Sequence, residues 1–363
     1  MYVYEFSIFD VLPYFYLLVF LLYFNSFCKS VKALNVMFVF LFTFSAIRYG
    51  IGYDYFNYCN AIQEGREFEP LSSLFAYFAR MLGSPQFFFI LNSLITIFPI
   101  YFVARKLSLH PHMSLLLYYL FPIFFLESLS IVRNASAYSL IFLSFYYLKQ
   151  RRHIYYGLCV VIAGLIHSSG FIGFLLFPIC YWPLDKKIAT FIFMLSFFVG
   201  EFIFSSISNM QVSTDSFIIA KLHRYADHAE EQGRFIKYII VGLNILNLLY
   251  WKKLVSVFKD NTLYLNLVNV GTCFWLLFNF DKTMSLRTAS FFLLFSILLI
   301  PSYLFVFQKR KVHFVKMGIL LFFILFFSSG FIVNILSYDK KGRMSYIPYQ
   351  LSLIHISEPT RPY

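Results

Sequence analysis

KQRRHIYYGLCVVIAGLIHSSGFIGFLLFPICYWPLDKK, residues 149–187, decides the fold of this chain. Ile154 to Trp182 is an apolar run, and both of its ends are basic. About 20 residues are enough to cross the hydrocarbon core of a bilayer, so the run is long for a single crossing. Lys and Arg beside membrane segments collect on the cytoplasmic side, so two basic ends demand an even number of crossings. Ser168, Ser169 and Gly170 interrupt the run. They predict a hairpin or re-entrant pair over about 154–182, with His167 at its outer tip.

The same sorting extends along the whole chain. Apolar spans are predicted at about 8–27, 31–47, 86–104, 113–129, 132–148, 154–167, 169–182, 188–204, 235–251, 262–279, 288–307 and 316–336. Alternate joints hold Lys29 and Lys32; Arg105 and Lys106; Lys149, Arg151 and Arg152; Lys186 and Lys187; Lys252, Lys253 and Lys259; and Lys309, Arg310, Lys311 and Lys316. The only acids in these joints are Asp185 and Asp260, and the other joints carry nearly all the rest. This is the positive-inside signature of an all-α polytopic membrane protein with about twelve segments. It predicts a single transmembrane domain over residues 1–351 with outer loops at 48–85, 205–234 and 281–287. The N-terminus carries Glu5 and Asp10 and no basic residue before the first span, so that span reads as uncleaved, with its N-terminus outside.

Composition narrows the function classes. The chain is 60% hydrophobic and 13% charged, roughly half the charged fraction of a soluble domain. Its net charge of +13 comes from the inside joints, which face anionic headgroups, and does not indicate a nucleic-acid partner. Cys28, Cys59, Cys159, Cys180 and Cys273 form neither a disulfide framework nor a metal-ligand spacing. No phosphate loop, dinucleotide fingerprint, serine elbow or zinc motif occurs, so no cofactor and no metal is expected.

The remaining charges therefore fall on the outer face. Arg48 ends the second span in RYGIGYDY, with Gly50 and Gly52 to turn the chain and Asp54 six residues on. Arg48 reads either as an interfacial arginine snorkelling beside Asp54 or as a ligand-binding group, with glycines that bring backbone close to the ligand. Arg133 starts a span in ESLSIVRNASA, on the disfavoured side, and reads either as a partner of Glu127 or as a functional cation. His167 is a buried core histidine or a proton-handling group. Arg224 lies in KLHRYADH, within a solvated loop helix or a binding loop. Arg287 is an interface anchor or a further cation. Pro70 to Gly83 has apolar residues at helical spacing and predicts an amphipathic helix at the outer interface. Several arginines on one leaflet suit a lipid diphosphate, since guanidinium binds phosphate oxygens bidentately and keeps its charge.

RYGIGYDYFNY, ESLSIVRNASAYSL and AGLIHSSGF together resemble the EpsG/Wzy-type family of bacterial surface-polysaccharide polymerases. The shared positions are Arg48, Gly50, Gly52, Asp54 and Tyr55; Arg133, Asn134 and Ala137; and Ala163, His167 and Ser169. Asn134 stands where the family more often has Gln. The resemblance covers about residues 1–350 and includes the closing YIPYQ. It implies a fold related to GT-C-like transferases in the bacterial inner membrane, with the active site facing the periplasm or exterior. It also implies glycosyl transfer between undecaprenyl-diphosphate-linked glycan donor and acceptor, without nucleotide or metal, and a chain-length regulator as a partner. On that reading Arg48, Arg133, Arg224 and Arg287 hold diphosphate, and His167 or Asp54 activates the acceptor hydroxyl. Gly50, Gly52, Tyr55 and Asn134 support them.

Residues 352–363 change style after YIPYQ, and HISEPTRPY resembles a translated sequencing adapter. They are expected to be a non-native tail that replaces a few native residues. Other function classes remain open at this point: an O-antigen ligase, a polysaccharide flippase or transporter, and an acyltransferase. A flippase needs charge along a path through the bilayer, whereas here the spans hold almost none besides Glu201.

Overall fold

The computed structural model describes residues 7–209, 232–306, 313–336 and 345–352. These are helical apart from one antiparallel bridge, in which Arg48–Tyr49 (β1) pairs with Gln350–Leu351 (β2). Residues 353–363, most of the tail expected to be non-native, lie outside the described residues, as do Arg224 and most of the 205–234 loop. The chain divides into two compact units, residues 1–171 with 331–363 and residues 172–330.

The first unit begins with α1 (Leu12–Phe27) and α2 (Val31–Ala46). Next come α3 (Tyr55–Glu64), α4 (Pro70–Met81), α5 (Gln86–Leu107), α6 (Pro111–Leu120), α7 (Phe125–Ser130), α8 (Val132–Lys149) and α9 (His153–Ile166). α8 packs between α5 and α9. Its first turns offer the buried small residues Ala135, Ser136, Ala137 and Ser139, which let helix backbones approach closely. The outer faces are large and apolar, with Phe15, Tyr16 and Tyr23 exposed on α1 and Ile154, Tyr155 and Leu158 on α9. Such continuous apolar exposure fits lipid and not water.

α4 is the predicted interfacial helix. Ser72, Ala76 and Ala79 are buried, whereas Leu74, Tyr77, Phe78 and Met81 point outward. Its small face docks on α5 and α9 and its bulky face is exposed.

The second unit contains a 3-10 turn over Ser168–Leu175 that enters from the first unit, followed by α10 (Leu176–Tyr181) and α11 (Lys186–Asn209). α12 (Gln232–Val257), α13 (Asn261–Leu277), α14 (Lys282–Leu293), α15 (Ser296–Leu299), α16 (Tyr303–Val306) and most of α17 (His313–Ile335) complete it. α13 packs on α11, α12 and α14. Amide side chains join these apolar helices. Asn244 Nδ2 donates to Asn269 Oδ1 at 2.9 Å, and Tyr303 Oη donates to Asn247 Oδ1 at 2.8 Å.

Among the described residues, four stretches are long and apolar enough to cross a membrane: Phe9–Phe27, Gln86–Leu107, Ile236–Val257 and Thr283–Val306. Shorter apolar helices accompany them at Val31–Ala46, His153–Ile166, Ser168–Tyr181 and Leu321–Ile335. Two expectations can be compared directly. The span expected at 113–129 is broken, because Phe121 is extended before Pro122 (φ −66°, ψ 123°) and α7 starts afresh at Phe125. The run 154–182 is not one helix either. α9 stops at Ile166, His167 is extended, and Gly170 N–H bonds back to the His167 carbonyl at 2.7 Å. Gly170 lies so close to the Ala163 carbonyl that no side chain fits there.

Candidate functional site

The RYGIG turn is shaped by its glycines. Gly50 has φ +68° and Gly52 φ +105°, a backbone region that L side chains resist. A Cβ at Gly52 would sit 2.7 Å from the Leu129 carbonyl carbon, and Gly52 N–H donates to the Ser345 carbonyl at 2.7 Å. Gly52 thus admits the protein's own backbone at Leu129, while Gly50 lies against the Phe56 ring. Tyr53 N–H continues the contact to Ser130 Oγ at 3.0 Å, and Ser130 Oγ meets Tyr346 Oη at 2.9 Å. Three segments far apart in sequence, 48–54, 129–134 and 345–352, meet here. Gly52→Ala is expected to cost on the order of 2–5 kcal/mol through strain and overlap together, read as a lower melting temperature of the purified protein.

Arg48 is almost wholly buried, at 1% exposure. Its guanidinium donates to the carbonyls of Ser45, Ile51 (3.4 Å) and Leu129 (3.2 Å) and lies 5.0 Å from the centre of the Phe89 ring. Burial lowers its pKa, because desolvation disfavours the charged form. It does not snorkel beside Asp54 but turns inward onto these carbonyls. The reason is topological: α7 brings the Leu129 carbonyl over the end of α2, and only a long side chain with several donors can satisfy carbonyls on both segments.

Asp54 is half-buried and accepts from Asn57 Nδ2 at 3.2 Å. Tyr55 is buried, stacks on Phe89 with ring centres 4.5 Å apart, and donates to Gln86 Oε1 at 3.3 Å. Burial pushes the neighbouring Cys59 thiol up to about 12.

Arg133 is half-buried at the start of α8 and forms an ion pair with Glu69, the residue before Pro70 at the start of α4. It does not pair with Glu127. Six helical residues would rotate those two positions onto different faces, and the helix break at Ile131 separates them further. Glu127 is instead buried. The Arg133 guanidinium lies 4.6 Å from the Phe68 ring centre and 5.7 Å from that of Tyr58, and its buried Nε has no hydrogen-bond partner.

Glu69 also reaches the His167 turn, where its Oε1 accepts from Ser168 N–H at 3.2 Å. One carboxylate therefore ties Arg133 to this turn, and Ser72 Oγ donates to the Ile166 carbonyl at 2.7 Å beside it. Asn134 Nδ2 donates to Ser169 Oγ at 2.9 Å, and Ser169 Oγ lies 2.7 Å from His167 Nδ1. Ser169 N–H, which can only donate, points at the same Nδ1 from 3.2 Å. Nδ1 must therefore be an acceptor, and the neutral ring carries its proton on Nε2. The chain Asn134 to Ser169 to His167 fixes the imidazole as an N–H donor at its other edge. That edge suits a phosphate oxygen better than it suits abstraction of a hydroxyl proton.

Sequence reasoning had picked out Arg133, Asn134 and His167, and the structure brings them together. Glu69 was not among the candidates. Its signal was the requirement for an acid near an arginine on the disfavoured face, together with a carboxylate immediately before the proline that opens the interfacial helix. Arg287 belongs to the second unit, half-buried on α14, where Asp281 caps the helix by accepting from Met284 N–H at 2.5 Å. Among the described residues no three His, Cys, Asp or Glu side chains cluster in a way that suits a metal ion.

The family model described as EpsG family matches residues 31–351. Neither the curated proteins nor the solved structures contain a match.

Proposed function

Because the chain belongs to the EpsG family, we propose that it is a polysaccharide polymerase joining undecaprenyl-diphosphate-linked repeat units by glycosyl transfer. The observation that carries the reading is the linkage of Arg133 to the His167 turn through Glu69. One carboxylate joins the Arg133 guanidinium to the turn that carries His167, at the ends of apolar helices, which supports a shared role for the two. A lipid diphosphate brought to the headgroup level would meet both.

In the reaction the acceptor hydroxyl oxygen bonds to the anomeric carbon of the donor. The bond from that carbon to the diphosphate breaks, and the leaving lipid diphosphate keeps the electron pair. Charge grows on the phosphate oxygens as the bond breaks, so donors fixed in advance lower the barrier. We assign Arg133 and the Nε2–H of His167 to those oxygens and acceptance of the hydroxyl proton to Asp54. Asp54 adjoins Tyr53, whose N–H rests on Ser130, three residues before Arg133. Arg224 and Arg287 are assigned to the flanking headgroup region. Arg48 shapes the site and leaves the substrate to others. Neither nucleotide nor metal enters this scheme, because the leaving group arrives already activated on its lipid.

The proposal keeps about twelve membrane segments and an outward-facing site. Labelling single cysteines with an impermeant reagent in intact cells, in a background lacking Cys59, is expected to modify position 168 and spare position 150. The reverse pattern would invert the topology. Chemistry is tested with purified protein and lipid-linked donor and acceptor, read as a product ladder. His167→Ala is expected to lower kcat about a hundredfold or more, and Ser169→Ala by a smaller factor, because the ring then loses the hydroxyl that joins it to Asn134 but keeps the main-chain N–H of position 169 on Nδ1. Ladders from His167→Ala that match the wild type would remove His167 from the scheme.

A further inference from the structure

The second unit holds a feature that glycosyl transfer does not use. A cavity of about 950 Å³ opens where the start of α11, the end of α12 and the start of α13 come together. Lys186, Lys187 and Lys252 line it, with the Thr190 and Thr262 side chains and a floor at Trp251. The three lysines come from two helices distant in sequence. The only carboxylate in the lining is Asp185, and its Oδ1 is already engaged by the Ile188 N–H at 2.8 Å, capping α11. Among the described residues the three lysines have no ion-pair partner.

The walls are held in place. Leu184 N–H donates to Asn266 Oδ1 at 3.0 Å, while Asn266 Nδ2 donates to the Leu184 carbonyl at 3.1 Å and to that of Thr262 at 2.8 Å. The pair of hydrogen bonds between the Asn266 amide and the Leu184 backbone fixes the 183–185 linker against α13. The cavity therefore does not depend on lysine rotamers alone. Two helix N-termini, those of α11 and α13, add partial positive charge to the same space. Outside the lysines the surface turns apolar at once, with Trp182 69% exposed and Ile188 48% exposed.

We propose that this cavity binds the phosphate group of an anionic phospholipid. Three ammonium groups and two helix ends match a phosphodiester. The exposed Trp182 and Ile188 match the acyl chains and glycerol region just beyond it, as aromatic and aliphatic side chains do at membrane interfaces. A free phosphate ion would use the lysines and leave the apolar rim unused. The assignment is independent of the glycosyl-transfer reading.

The experiment uses the full chain, delipidated in detergent and titrated with short-chain phosphatidylglycerol, short-chain phosphatidylcholine or inorganic phosphate, with bound lipid counted by native mass spectrometry. Wild type is expected to retain one phosphatidylglycerol that phosphatidylcholine does not replace. Lys186→Gln with Lys252→Gln should weaken that binding on the order of tenfold or more, as expected for two lysines at a lipid surface. Lys32→Gln with Lys106→Gln, which removes the same charge from other basic joints, should leave it in place. Equal loss in both lysine pairs would show general attraction to basic loops and overturn the site. Displacement by inorganic phosphate at equal concentration would overturn the lipid as its ligand.

Discussion

Arg133→Ala is expected to lower polymer formation about a hundred- to a thousandfold while the protein still inserts and folds. Removing one charged donor from a developing oxyanion costs about 3–4 kcal/mol in comparable sites. The folded state should tolerate the change, because Arg133 is half-buried and its one ion pair is with a half-buried carboxylate. A pair partly open to solvent is screened, so its loss costs less than that of a fully buried pair. Arg133→Lys should recover only part of the activity, since an ammonium keeps the charge and loses the planar fork. A purely structural Arg133 would stitch α8 to α4 through Glu69. In that case Glu69→Gln combined with Arg133→Gln, which removes both charges and keeps the shapes, should restore the product ladder. A diphosphate-binding Arg133 leaves that double variant as inactive as the single one. Product ladders per folded molecule, with KM and kcat separated, distinguish the two outcomes.

Arg48→Ala should fail differently, by loss of folded protein. The substitution leaves the carbonyls of Ser45, Ile51 and Leu129 buried without the donors they now have. Each stranded group costs about 1–3 kcal/mol, so three amount to much of a typical domain's net stability. The junction of α2, the RYGIG turn and Leu129 should loosen, and with it the β1–β2 bridge, whose Arg48 pairs with Leu351. Arg48→Lys should rescue in part, because one ammonium reaches some of the carbonyls but not all. The readout is monodisperse protein and its melting temperature in detergent, beside Arg133→Ala prepared in the same way. If Arg48→Ala melts like the wild type yet makes no polymer, Arg48 belongs to the substrate after all.

These two arginines show how far each level of description reaches. In the sequence they look alike: each lies at a span boundary on the disfavoured side, with a carboxylate six residues away. Neither of those carboxylates is the partner. Arg48 is turned inward onto backbone carbonyls, and Arg133 pairs with Glu69, sixty-four positions away. Short-range spacing pointed to Asp54 and Glu127 because it assumes a continuous helix or a short loop. The breaks at Ile131 and in the RYGIG turn invalidate that assumption.

The His167 turn was more legible. A basic joint at each end of 154–182 required a break, and Ser168, Ser169 and Gly170 located it. The state of the imidazole could not be read, since it depends on Asn134 arriving from α8 and on where Ser169 N–H points. The glycines of RYGIG were recognised as a turn, but their real neighbour, Leu129, lies seventy-seven residues beyond Gly52 and is invisible to any local pattern.

The sequence by itself determined the helical class, the membrane setting, the positions of most helices and the residues worth watching. These follow from local quantities: hydropathy over a window, the charge of each joint, and the backbone preferences of Gly, Pro and Ser. Tertiary structure decided which arginine is a structural tie and which stands by the His167 turn, which carboxylate answers it, and which nitrogen of His167 carries the proton. Those are properties of pairs brought together by packing. Their energies depend on burial and on distances of about 3 Å between residues far apart in the chain, and no local pattern encodes such distances.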